Sequence, residues 1–388
     1  MKYVLFCIFS AIACQGIAET KTNLDLSYRY FWQNPGYLQQ ITEQTSLSLQ
    51  TEMHFQSTPS SGLSINFFGR YDSADQERNH VDVRELLWQY RGDRYQLDAG
   101  IGIVYWGVAE SQHLVNVINQ RDSLEDVLGN VALGQPLVKL ALPLDTNQLE
   151  MYLLPFFRER SFSSIEGRLR PPVLVNSEHS RYESDREQEH LDYAVRYSGS
   201  YENIDYGLAF FQGTQRDPIL QYDPSLAELY PYYQQMKQVG ADVQYTLDAW
   251  LLKSELLYRE ITTEKYSAAI LGFEKSFYRL FDSYADMAWI AEYNWDERGS
   301  RSLSYFQDDL FMGMRWSFNN VQSTELLLGC LYDLDYSSNF SRLKFTSRLG
   351  KEWTITLEAY LLDHVDRADL LTAFKKDDFA QLTIQYYF

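Results

Sequence analysis

Gln381-Leu382-Thr383-Ile384-Gln385-Tyr386-Tyr387-Phe388 closes the chain. Side chains of a strand alternate faces, so Leu382, Ile384, Tyr386 and Phe388 share one side while Gln381, Thr383, Gln385 and Tyr387 share the other. One face is apolar and the other polar. The same period runs back through the sequence. Leu24, Leu26, Tyr28, Tyr30 and Trp32 alternate with Asp25, Ser27 and Arg29, and Leu47, Leu49, Met53 and Phe55 with Ser48, Gln50, Glu52 and His54. It returns at 95–105, 191–197, 239–247 and 310–318. Counting every such segment gives about eighteen strands, with about sixteen as the lower bound.

Connection lengths supply a second regularity. Short turns rich in Gly, Asn, Asp and Ser fall at 57–61, 91–94, 145–147, 199–202, 248–249, 278–282, 319–322 and 350–352. Longer polar loops fall between them, near 106–135, 158–189, 212–236, 294–307 and 362–378. A soluble sandwich has no reason to gather its long loops at one end, whereas an outer-membrane barrel has short periplasmic turns and long external loops. Trp32, Trp88, Tyr90, Tyr105, Trp250, Tyr258, Tyr293, Trp316, Trp353 and Tyr360 lie near strand ends, where rings with polar tips suit the headgroup level. The expected fold is all-β, a transmembrane antiparallel β-barrel. Its final strand resembles the C-terminal signature by which Gram-negative outer-membrane barrels are recognised for assembly. Leu382, Ile384, Tyr386 and Phe388 would carry that signal to the barrel-assembly machinery.

The composition excludes other classes. The 388 residues carry 53 acidic and 34 basic side chains, a net charge of -19, which argues against a nucleic-acid partner because phosphate binding needs a basic face. Beyond the N-terminus no apolar run reaches the length of a membrane helix. Met1-Lys2, an apolar stretch from Tyr3 to Ala13 and the exit Gly16-Ile17-Ala18 read as a secretory leader. Cleavage after Ala18 would leave 19–388 as one barrel domain; lipoprotein processing at Cys14 is the rival. Loss of Cys7 and Cys14 leaves Cys330 alone, so no internal disulfide forms.

By parity the polar faces line a lumen. Arg29, Arg70, Arg315, Arg342, Lys344 and Arg348, with Asp286 and Glu292, are the pore-lining candidates. Arg342, Lys344 and Arg348 share one strand face. A wall of one sign concentrates solutes of the other, although mutual pairing that merely holds the barrel's shape accounts for the same charges. Most of the excess acid falls on loops and turns, so net charge does not predict cation selectivity.

Loop 106–135 is too apolar to wave in water, with Leu114, Val115, Val117, Ile118, Leu124, Val127 and Leu128. It either folds inward and narrows the bore or caps the rim. Trp106, Asn119, Arg121 and Asp122 are its constriction candidates. Loop 158–189 mixes both charge signs, as solvated surface does; its functional alternative is bridging of lipopolysaccharide phosphates through divalent cations.

Enzyme signatures are missing: there is no G-x-S-x-G, H-E-x-x-H, P-loop or paired-Cys motif, and the six histidines lack ligand spacing. No catalytic residue, metal site or cofactor is expected. The Trp106-Gly107 stretch, followed by Val117-Ile118-Asn119 and Asp122, resembles a segment of large outer-membrane proteins, some of them thought to accompany RND-type exporters. Gln120 stands where that segment carries Pro, and this chain is shorter. Arg216-Asp217-Pro218, Tyr230-Pro231-Tyr232 and the hairpin from Gln244 to Arg259 are similar to uncharacterised porin-like barrels. These resemblances imply an outer-membrane location among lipid and lipopolysaccharide, with a transport role. The leading expectation is a porin-like channel for small solutes, diffusive or selective. A closed barrel serving an envelope export machine is the alternative, and a barrel lipid hydrolase is a third reading.

Overall fold

The computed structural model describes residues 17–126 and 131–388; residues 1–16 of the expected leader, and Val127 and Leu128 of the apolar loop, lie outside them. The strands are β1 (Ile17–Phe31), β2 (Glu43–Thr58), β3 (Ser61–Asp72), β4 (His80–Arg91), β5 (Gln96–Gly102), β6 (Gln135–Leu144) and β7 (Asn147–Leu154). Then come β8 (Arg181–Tyr182), β9 (Asp192–Tyr201), β10 (Ile204–Thr214), β11 (Ile219–Asp223), β12 (Glu228–Tyr233), β13 (Gln235–Leu247) and β14 (Trp250–Ile261). The last are β15 (Lys265–Phe277), β16 (Asp286–Asp296), β17 (Asp308–Ser317), β18 (Glu325–Asp333), β19 (Asn339–Leu349), β20 (Trp353–Asp363) and β21 (Phe379–Tyr387).

All but β8, β11 and β12 form one 18-stranded sheet. Each strand pairs antiparallel with the next, and β21 returns to β1 from Asn23↔Tyr387 to Phe31↔Phe379. The sheet is therefore closed. In lipid no other arrangement of strands satisfies every backbone N–H and C=O. β11 and β12 form a separate hairpin that β8 joins in parallel.

The two faces invert the pattern of a soluble protein. Leu26, Leu49, Leu208, Val239, Leu271 and Met312 point outward and stay about half exposed, whereas Ser46, Gln44, Asp98, Asp242, Glu255 and Glu292 point inward and are buried. Charged side chains are rarely buried in a soluble core, but a barrel with a polar lumen and an outer apolar band requires it. The fold is a transmembrane all-β barrel. Arg196 of β9 shows how the lumen neutralises itself: its guanidinium meets Asp242 of β13 through two bonds of 2.7 and 2.9 Å. It crosses β10 at Gly207, where a Cβ would stand 2.1 Å from the guanidinium.

Long and short connections segregate to opposite ends, with 32–42, 103–134, 155–191, 215–234, 297–307 and 364–378 at one end and two- to eight-residue turns at the other. The long-loop end also carries three short links, 73–79, 262–264 and 334–338, that the sequence pattern does not mark. Tyr360 corrects one assignment. It shares the inner face with Glu358, is 7% exposed and stacks on Phe379 at 4.6 Å, so it lines the lumen instead of the headgroup belt. Cys330 sits opposite Met312 on the outer face.

Candidate functional site

The described part of loop 103–134 folds into the bore. Trp106, Val115, Val117 and Ile118 are at most 3% exposed, and they pack on Leu137, Tyr152, Leu154, Phe211, Met236 and Ile261 of the inner wall. Burying each such side chain is worth roughly 1.5–3 kcal/mol. That wall, from β4 to β14, carries apolar side chains among its polar ones, and the loop covers them.

Two wall carboxylates hold the loop's first arm. Glu255 of β14 accepts the backbone N–H of Val108 at 2.7 Å and Ala109 at 2.9 Å on Oε1, and of Val115 at 3.1 Å on Oε2. Glu292 of β16 accepts Glu110 N–H at 2.8 Å, Ser111 N–H at 2.7 Å and the Ser111 hydroxyl at 2.6 Å. Gly107 makes this approach possible. Its φ of +112° suits glycine, and a Cβ there would stand 2.6 Å from Glu255 Oε1. The Trp-Gly pair is thus an anchor followed by a clearance.

The second arm explains the 119–122 stretch. Asn119 accepts Val104 N–H at 2.8 Å and donates to the carbonyls of Gly102 and Leu133, closing the loop's neck. Asp122 pairs with Arg84 at 2.6 Å and caps Leu124. Trp106, Asn119 and Asp122 are therefore buried supports of the constriction, because each side chain is engaged in holding the loop to the wall or to itself. Arg121 alone of the four is half-buried. It belongs to a group in which Arg160 donates to Asp217 at 2.6 Å. Burial opposes the Asp217 charge, yet Arg121, Arg160 and Arg259 together hold its carboxyl far below the usual range.

The remaining candidates divide in the same way. Arg70 grips Glu125 of the loop at 2.8 and 2.6 Å. Arg315 pairs with Glu110 at 3.0 Å. Glu292 is taken up by the latch just described. Asp286 sits at the turn end, where it accepts Arg279 N–H and the Asn319 amide, each within 2.9 Å. Four of the eight pore-lining candidates thus fix the loop or a turn, leaving Arg29, Arg342, Lys344 and Arg348.

Arg29, Arg342 and Lys344 line the wall that the loop leaves open, while Arg348 is exposed at the turn end of β19. Cross-strand register sets Arg29, Gln381, Glu358, Lys344, Leu327 and Arg315 in one row across β1, β21, β20, β19, β18 and β17. Arg342 and Lys344 share Glu358, at 2.9 and 3.8 Å. Arg29 lies 4.4 Å from the centre of the Phe379 ring and donates to Gln381 at 2.8 Å. Neither Arg29 nor Arg348 has an ion pair among the described residues. Between this wall and Ser123, Leu124, Glu125 and Asp126 of the loop lies a cavity of about 200 Å³.

A roof covers the cavity. Loop 155–191 crosses the mouth to the far wall, where Arg168, almost wholly buried, meets Asp377 at 2.6 Å, and Leu169 N–H donates to the same carboxylate at 2.9 Å. Leu169 packs on Phe31, Tyr360 and Phe379. Its other end rests on the sheet of β8, β11 and β12, through Tyr182, Tyr233 and Phe157. The reading of 158–189 as solvated surface holds for Asp185, Arg186 and Glu187, which are exposed, but not for Arg158, Arg160 and Arg168, which pair with Asp82, Asp217 and Asp377 in other elements.

An 18-stranded barrel, narrowed by one loop and roofed by another, defines the class. No family model matches the chain, and no curated protein matches it. Among solved structures it is similar to Wzi of Escherichia coli, described as an outer membrane protein involved in group 1 capsule assembly and a carbohydrate-binding β-barrel (TM-score 0.55, 9% identity, 99% of this chain and 87% of that one). It is also similar to the outer membrane protein OpdK of Pseudomonas aeruginosa (0.54, 10%, 96% and 99%). A BenF-like porin from Pseudomonas fluorescens Pf-5 stands alongside (0.54, 10%, 96% and 98%). At these identities the likeness is one of fold.

Proposed function

We propose that the chain is an outer-membrane channel of a Gram-negative envelope, passing small solutes between the inward loop and the basic wall of β1 and β19–β21. The observation that carries this reading is the asymmetric filling of the lumen. The loop occupies the wall from β4 to β14 and leaves a charged cavity of about 200 Å³ against the opposite wall. Inward loops of this kind set bore and selectivity. Arg29, Arg78, Arg168, Arg342 and Lys344 outnumber Asp75, Glu125, Asp126 and Glu358 by one around this cavity, so the path favours anions by a small margin.

The test is single-channel recording of the refolded chain in a planar bilayer with a salt gradient. Steady current with an anion-directed reversal potential is the expected result. Silence from a verified folded barrel overturns it and favours a second reading, which rests on the roof latched by Arg168 and Asp377: a closed barrel serving an envelope assembly or export machine, in the way that Wzi is described as taking part in capsule assembly. Co-purification with periplasmic proteins then becomes the experiment.

A further inference from the structure

Where β17 and β18 reach the long-loop end, three aspartates are buried together. Asp309 and Asp333 are direct cross-strand partners, and Asp369 joins them from loop 364–378. They are 0%, 3% and 4% exposed. Asp333 N–H bonds to the Ser338 carbonyl at 3.0 Å and Ser338 Oγ accepts Asp366 N–H at 3.1 Å, which ties the end of β18 to the loop that carries Asp369.

Backbone amides hold one side of each carboxylate. Gln307 N–H donates to Asp309 Oδ2 at 2.6 Å, Leu371 N–H to Asp369 Oδ1 at 2.8 Å, and Asp335 and Tyr336 N–H to Asp333 Oδ1 at 2.8 and 2.6 Å. The other oxygens of two of them, Asp309 Oδ1 and Asp369 Oδ2, are buried without any donor. Among the described residues no Lys, Arg or His forms an ion pair with any of the three, in contrast to the paired Asp72, Asp98, Asp192 and Asp242 elsewhere in the barrel. Burying several carboxylates without a countercharge is costly. A bound cation would relieve both the charge and the missing partners.

The donor set is all oxygen, and one lone pair of the buried Ser338 hydroxyl adds to it beside Asp366 N–H. Hard oxygen donors on loops of adjustable spacing suit calcium better than magnesium or a transition metal. We propose that Asp309, Asp333 and Asp369 bind one calcium-class divalent cation at the long-loop end of the barrel, with the two donorless oxygens as its first ligands. Among the described residues no three such groups already surround one point, so the ion draws loops 297–307, 334–338 and 364–378 together, as calcium's flexible coordination permits. The sequence hides this site because its ligands are scattered over three strands and loops. The proposal stands apart from channel activity.

The test uses the refolded full-length barrel in detergent free of lipopolysaccharide, stripped with chelator. Calcium chloride is titrated by calorimetry, and protease resistance of loop 364–378 is followed with and without the ion. One saturable calcium per chain is expected, with the loop protected by calcium. Asp309→Asn/Asp369→Asn should weaken binding by on the order of tenfold or more, while Asp185→Asn, exposed on loop 155–191, should change it little. Equal uptake by the wild type and the double variant would mean adventitious binding elsewhere and overturn the assignment. So would a loop that gains protection as pH falls from 8 to 5 and ignores calcium, since protons would then neutralise the group. The wild-type comparison with and without calcium decides the matter even if a variant misfolds.

Discussion

Glu255→Gln together with Glu292→Gln should release the first arm of the inward loop while leaving the barrel intact. Each carboxylate serves amides that water would otherwise reach. In the glutamine variant of Glu255 the carbonyl oxygen still accepts Val108 and Ala109 N–H, but the new NH2 faces the Val115 N–H, donor against donor. One bond and the charge assistance on two more are lost, about 2–4 kcal/mol at that site, since hydrogen bonds to charged groups are worth roughly 1.5–3 kcal/mol. The opposing term is the apolar anchor of Trp106, Val117 and Ile118, about 4.5–9 kcal/mol from the same area arithmetic. The anchor exceeds the loss from either single change, so 107–115 loosens while 117–118 stays seated. Hydrogen exchange read by mass spectrometry reports this directly. For Glu255→Gln, exchange of the peptide spanning 107–116 should accelerate about 30- to 900-fold, one decade per 1.36 kcal/mol, and the double variant should exceed that. Peptides from β13 and β14 should keep their protection. An unchanged 107–116 peptide in the double variant would refute the latch.

Gly107→Ala attacks the same latch from the loop side. A positive φ and a Cβ 2.6 Å from Glu255 Oε1 should cost about 1–3 kcal/mol, and combination with Glu255→Gln should be less than additive because the two share one contact; full additivity in the exchange rates would count against it. Replacing Arg29, Lys344 and Arg348 with Gln should move the reversal potential toward cations, and an unmoved potential sinks the anion path. Phe388→Ala should lower the yield of assembled, heat-modifiable barrel, and normal yield would remove the terminal aromatic from the assembly signal. We also propose cleavage after Ala18, so the intact mass of exported protein should begin at Glu19; a lipid-bearing Cys14 would support the rival processing.

The alternation at 381–388, and its repetition upstream, is enough to find the closed antiparallel sheet, because a two-residue period that persists over whole strands demands a sheet with two unlike faces. Parity also puts Glu292, Arg342 and Lys344 on the inner face, where the structure has them. Their partners lie beyond its reach. Glu255 meets amides at 108–115, and Arg168 meets Asp377; separations of that length are set by loop paths that no local pattern encodes. The three short links at the long-loop end escape for a related reason. At 262–264, Ile261 N–H simply bonds to Glu264 C=O at 2.9 Å, and a link that tight leaves no polar run to notice.

One clue to the loop's position is nonetheless present in the sequence. Inner-face positions of an open aqueous barrel should be polar throughout, yet Leu137, Tyr152, Leu154, Ala194, Phe211 and Met236 fall on inner parity from β6 to β13. Across the lumen the inner face of β2 runs Gln44, Ser46, Ser48 and Gln50, without an apolar break. The far wall has inner apolar residues of its own, Phe31, Phe340, Tyr360 and Phe379, but those lie under Leu169 of the roof. The stripe from β6 to β13, by contrast, cannot face water over its whole height without losing roughly 25 cal/mol for each Å² exposed. It must be covered from inside, and the connection between β5 and β6 is long, apolar and adjacent to it. Parity exceptions on one wall, matched to an apolar loop rooted in that wall, are therefore a physical criterion for an inward-folded loop, which strand counting alone leaves undecided between the bore and the rim.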